Sequence, residues 1–93
     1  MARRITHVRY GGTVKTHESI IAYKWQNDGS GSIGQDSKPV MVDWVDNNRG
    51  QAYVSNGHSR ATVGVVRPAT GNPYLRTYTD GVWTDNLLSL PTF

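Results

Sequence analysis

Apolar and polar positions change period along this chain. In residues 4–10, RITHVRY, they alternate. Alternation places Thr6, Val8 and Tyr10 on one face of a strand and Ile5, His7 and Arg9 on the other. Residues 18–26, ESIIAYKWQ, read as a second strand, with Ile21, Tyr23 and Trp25 opposite Ile20, Ala22 and Lys24. A glycine-rich stretch follows, and then the period becomes helical. Val40, Met41, Trp44 and Val45 share one face of a helix expected over 38–48. Ser37 stands where an N-cap belongs, Pro39 in the first turn and Gly50 at the stop. Strands are expected again over 51–56, 60–67 and 74–79, with Ala61, Val63 and Val65 facing the core. Residues 84–91, TDNLLSLP, read as a single apolar helical turn with Asp85 as its cap.

The order β-β-α-β-β-β predicts one α+β domain spanning residues 1–93. Its architecture is an antiparallel sheet of about five strands with one helix covering one face.

Composition agrees with a single globular domain: 93 residues, 37% hydrophobic, 18% charged, three Trp and five Tyr. The absence of cysteine excludes disulfides, thiolate metal sites and cysteine nucleophiles. It fits a cytoplasmic protein. No secretory signal is read in MARRITHVRY, and no run approaches the ~20 apolar residues of a membrane span. Ten Lys and Arg against seven Asp and Glu give a net charge of +3, spread along the chain without a basic run. The balance permits an anionic partner without requiring one.

Gly29, Gly31 and Gly34 form a literal G-x-G-x-x-G. A dinucleotide fingerprint needs a helix that starts at the loop, inside a parallel βαβ unit. Here the helix starts at least three residues after Gly34, and no Lys-Ser or Lys-Thr completes a P-loop. Both nucleotide motifs are rejected in favour of an exposed hairpin-to-helix connection. A weaker phosphate site at Ser30, Ser32, Ser37 and Lys38 stays open. His7, His17 and His58 have no metal-ligand spacing, and no G-x-S-x-G elbow exists.

The strongest binding candidate is YLRTYTDGVW. Tyr74, Arg76 and Tyr78 share one face of their strand, and Arg9, His7 and Lys24 lie on strands of the same sheet. Aromatic side chains stack bases and interleaved cations neutralise phosphates. The same ladder also forms on a solvent face with no ligand at all.

The segment Tyr74–Pro91 resembles a small bacterial and phage-associated family of unknown function with the ending YLRTYxDGxWTDNLLxLP. The stretches ITHVR, HESI, VDWV and AYV are similar too. The resemblance implies a shared fold and marks His17, Arg76, Asp80, Trp83, Thr84, Asp85 and Asn86. It implies no activity and no cofactor.

The expectation is therefore a non-catalytic module for a phosphate-bearing ligand, nucleic acid or nucleotide, in a homo-oligomer. The ligand residues would be Arg76, Tyr74, Tyr78, Arg9, Lys24, His17, Asp80, Trp83, Asp85 and Asn86. The alternative is an assembly module that docks through Leu87, Leu88, Leu90 and Phe93. A small enzyme using His17, Asp80 and Asp85 ranks last.

Overall fold

A computed structural model describes residues 2–55, 60–79 and 81–93. Seven strands form one sheet: β1 (Arg3–Tyr10), β2 (Ile20–Asn27), β3 (Ile33–Ser37), β4 (Ala52–Ser55), β5 (Arg60–Val66), β6 (Tyr74–Thr79) and β7 (Val82–Thr84). Helix α1 (Lys38–Asp46) separates β3 from β4, and a 3-10 turn (Asn86–Ser89) follows β7. The spatial order is β3-β2-β1-β4-β5-β6-β7.

This corrects the five-stranded antiparallel expectation: the fold is mostly β and the sheet is mixed. Two strands were hidden in sequence. β3 lies in the glycine-rich segment, whose IGQDS lacks a β-branched or aromatic run. β7 has three residues. β4 runs parallel to β1, with Arg3 opposite Ala52 and Arg4 opposite Tyr53. The remaining strand pairs are antiparallel. The chain reaches β4 from the far edge by crossing over through α1, and parallel neighbours need a crossover of this kind.

Two bulges sort the faces of the first hairpin. Ile5 faces Trp25 and His7 faces Lys24, so Thr6 is the extra residue on β1. Arg9 faces Ala22 and Tyr10 faces Ile20, so Ile21 is the extra residue on β2. Strict alternation separates Ile5 from Val8 and Ile20 from Tyr23. The bulges return all four to the helix side, where each is buried. Ile21, expected to share a face with Tyr23 and Trp25, is exposed.

The core lies between the sheet and α1. It joins Ile5, Val8, Ile20, Tyr23, Met41 and Leu75 with neighbours on β4 and β5. Met41 and Val42 are the buried residues of the helix, while Val40 is 52% exposed. The helix is therefore turned about one residue from the expected phase. Ser37 occupies the N-cap position without a side-chain cap bond, and Pro39 sits in the first turn. Beyond the helix, Arg49 adopts φ 54°, and the Gly50 N–H donates to the Trp44 carbonyl at 2.9 Å.

The apolar tail docks on its own chain. Leu87 is fully buried, the Val8 N–H donates to the Pro91 carbonyl at 3.0 Å, and Thr92 bridges to Val8. The tail takes the side of β1 that β4 leaves unpaired beyond Arg4.

Candidate functional site

The glycine pattern is a β2–β3 hairpin. The Asn27 N–H donates to the Ser32 carbonyl and the Gly31 N–H to the Asn27 carbonyl, each at 2.8 Å. Asn27 Oδ1 accepts from the Gly29 N–H. Gly31 has φ 74°, a left-handed turn position. Ser30 donates to Ser32 at 2.9 Å, so both hydroxyls serve the turn. Gly34 lies within β3, opposite Trp25, and a Cβ there would come within 2.5 Å of the indole.

That indole belongs to a structural clamp. The Arg3 guanidinium lies 3.9 Å from the Trp25 ring centroid and 4.1 Å from that of Trp44. Trp25 Nε1–H donates to Asp36 Oδ2 at 3.0 Å, and Arg3 approaches the same carboxylate at 3.7 Å. The clamp ties β1, β2, β3 and α1 together. It occupies Trp25 and Trp44.

No helix covers the opposite face of the sheet among the described residues; His17 covers it at Tyr74, and Phe93 lies against His7 and Arg9. Alternation there presents Arg4, His7 and Arg9 on β1, Lys24 and Gln26 on β2, and Tyr53 on β4. It continues with Arg60 and Thr62 on β5, Tyr74, Arg76 and Tyr78 on β6, and Trp83 on β7. Register aligns Gln26, Arg4, Tyr53, Thr62, Tyr78 and Trp83 in one row across six strands. Tyr78 and Trp83 meet edge to face at 5.5 Å and are 37% and 43% exposed. They lean over Gly64, where a Cβ would lie 3.0 Å from Tyr78 and 3.4 Å from Trp83.

Charge is sorted between the two faces. Asp36 faces α1, and Asp43 and Asp46 lie on α1. Arg67 pairs with Asp46 beside a cavity of about 600 Å³ next to α1. The open face carries Arg4, Arg9, Lys24, Arg60 and Arg76 against two carboxylates near its rim. Asp28 lies 4.0 Å from Arg60, and Asp85 lies 3.0 Å from Arg76. Arg4, Arg9 and Lys24 form no ion pair among the described residues.

The ten expected ligand residues divide. Arg9, Lys24, Arg76, Tyr78 and Trp83 reach the open face. Arg9 is partly committed: its Nε–H donates to the Phe93 carbonyl, and its guanidinium covers the Phe93 ring at 4.4 Å. Tyr74, Arg76, His17 and Asp85 come together in a second cluster. His17 stacks on Tyr74 at 6.2 Å, and Asp85 lies 3.9 Å from His17 while bonding Arg76. Arg76 Nε–H also donates to the Thr84 carbonyl at 3.1 Å. The His17 imidazole is buried, its Nε2 makes no hydrogen bond, and its pKa is lowered by burial and by the Arg76 cation. This cluster holds the 11–19 loop to β6 and the chain after β7. The Asn86 carbonyl accepts from Ser89 Oγ–H inside the 3-10 turn. Asp80 and His58 lie outside the described residues. Among the described residues, no three His, Cys, Asp or Glu side chains gather as metal ligands.

Sequence reading missed Arg4, Tyr53 and Arg60. The Arg60 guanidinium lies 3.6 Å from the Tyr53 ring centroid. The Tyr53 hydroxyl donates to Asp28 at 2.6 Å, and that bond raises its pKa. Arg4 is distant in sequence from the other two, and Tyr53 meets Arg60 only through the β4–β5 pairing, so no local pattern marks them. A depression of about 430 Å³ opens beside Gln51, Tyr53, Arg60, Thr62 and Tyr78.

Fold and face together define a small mostly-β domain with one helix-covered face and one open face rich in cations and aromatics. The chain belongs to the family described as "Protein of unknown function (DUF3892)", whose model matches residues 4–91. No curated protein and no solved structure matches it. No helix is long and apolar enough to cross a membrane among the described residues.

Proposed function

We propose that the chain is a non-catalytic binding module whose open sheet face takes single-stranded nucleic acid. The observation that carries this reading is the transverse row Gln26–Arg4–Tyr53–Thr62–Tyr78–Trp83. It crosses six strands, five intervals of roughly 4.8 Å or about 24 Å. An extended phosphate-bearing polymer uses that whole length, whereas a mononucleotide uses a fraction of it. Exposed rings offer sequence-tolerant stacking, and the cations that lack carboxylate partners offer phosphate contacts.

Fluorescence anisotropy with a labelled single-stranded ten-nucleotide DNA tests the reading. Affinity falls linearly in log–log form with added salt, with a slope of about −0.7 per phosphate contact. The double reversal Arg4→Glu/Lys24→Glu abolishes binding at a physiological ionic strength of about 0.15 M. Absence of binding at low salt, or binding untouched by the reversal, overturns it.

An assembly role has one favourable observation. Edge strand β7 exposes Val82 (65%) beside Trp83, and an uncovered edge can pair with another chain. The apolar tail, which first suggested assembly, is satisfied within the subunit. A sedimentation coefficient that is that of a monomer at every protein concentration removes the assembly reading.

A further inference from the structure

We infer that the depression at the centre of the open face is a nucleobase subsite; this rests on the nucleic-acid reading above. Tyr53, Thr62 and Tyr78 are direct register partners on β4, β5 and β6. The two tyrosines therefore stand two strand intervals apart, roughly 9.6 Å, with the short Thr62 between them. Aromatic planes contact at centroid separations of about 4.5–7 Å, so one planar ring over Thr62 reaches both tyrosines. The Arg60 guanidinium already lies over the Tyr53 ring at 3.6 Å, and a base stacks on a guanidinium plane as it does on an aromatic ring.

The floor and walls suit a base. The depression, at about 430 Å³, is open on the solvent side and lined by both polar and apolar groups. Gln51 contributes an amide that can both donate and accept at its rim, which suits the mixed edge of a base. Asp28 orients the Tyr53 hydroxyl. Gly64 lets Tyr78 and Trp83 lie close to the sheet, and Trp83 supports the far side of Tyr78 by its edge contact. Arg4 is the register neighbour of Tyr53 on β1, so a cation stands two strand intervals from the seated base, on the same row. That is the place for the phosphate of the same strand. A bare phosphate ligand would need none of these planes.

The experiment compares two probes with equal phosphate number: the ten-nucleotide DNA and an abasic ten-unit backbone of tetrahydrofuran phosphates. The wild-type protein binds the base-bearing strand at least about tenfold more tightly. Thr62→Gln, a neutral substitution at an exposed position, fills the floor. It lowers affinity for the DNA to near that for the abasic strand and leaves abasic binding unchanged. Tyr78→Leu does the same. A ¹H–¹⁵N titration with DNA places the Thr62 amide among the largest shifts, a readout that requires no variant.

Equal, salt-sensitive affinity for both probes overturns the base subsite while the phosphate-binding reading stands. A base preference that survives both substitutions also overturns it. Absence of binding to either probe removes the nucleic-acid reading and the subsite with it.

Discussion

Gly34 shows how a glycine can be required by a neighbour. It has no left-handed backbone, yet an added Cβ would lie 2.5 Å from the Trp25 ring. Gly34→Ala pushes that indole from Asp36 and from the Arg3 stack. The expected loss is about 1–3 kcal/mol of stability, read from the urea midpoint. At Gly12 nothing lies within 4 Å of the added Cβ, so Gly12→Ala changes stability by less than about 0.5 kcal/mol. Equal effects at the two positions would mean that Trp25 does not rest on β3. The G-x-G-x-x-G motif thus contains three unrelated uses: a turn N–H at Gly29, a left-handed residue at Gly31 and a tryptophan seat at Gly34. Motif spacing alone ruled out the phosphate loop. It did not show the seat, because Trp25 reaches Gly34 only across the hairpin.

At the scale of elements, α1 separates period from phase. Four apolar residues at helical spacing identified the helix and its start at Lys38. The buried side is set by packing against the sheet, which takes Met41 and Val42 into the core. Met41→Ala removes a fully buried side chain and is expected to cost about 2–5 kcal/mol. Val40→Ala, at a half-exposed position, is expected to change stability by less than about 0.5 kcal/mol. Thermal or urea unfolding of both variants checks this, and a comparable large loss at both would mean that the helix packs in the phase predicted by sequence. The first hairpin teaches the same lesson. Its strands were legible from their composition, while the bulges at Thr6 and Ile21 were not, since a bulge is defined by a partner strand.

Across the whole molecule, His17 links regions that are distant in sequence. It lies in the 11–19 loop, stacks on Tyr74 and faces the Asp85 carboxylate that Arg76 holds. Burial and Arg76 lower its pKa, while Asp85 and Glu18 oppose them more weakly. A histidine with a depressed pKa binds its proton more readily when unfolded, where its value is near 6.5. Its contribution to stability is full above pH 6.5 and is lost as pH falls from there through the folded pKa. His17→Phe keeps a ring against Tyr74 without a titrating group. Urea midpoints of the two proteins between pH 7.5 and pH 5 should converge or cross as pH falls, with the wild type losing more. Parallel curves would show that His17 titrates as it does in the unfolded chain. The sorting of charge between the two sheet faces belongs to this scale as well. Each half of the sequence mixes both signs, and only the strand order collects the cations.

The sequence by itself determined what depends on neighbours a few residues away. It located β6 to the residue, placed the start of α1, and gave the approximate spans of β1, β2, β4 and β5, because alternation and helical period are local. It also brought Tyr78, Arg76, Arg9 and Lys24 to attention by residue type. Tertiary structure decided which strands pair, the parallel contact of β1 with β4, the bulges, and the helix phase. It also decided that Arg4, Tyr53 and Arg60 join Tyr78 on one face and that His17 stacks on Tyr74. Those outcomes depend on contacts between residues far apart in the chain, where the energy of burying one face outweighs any local preference.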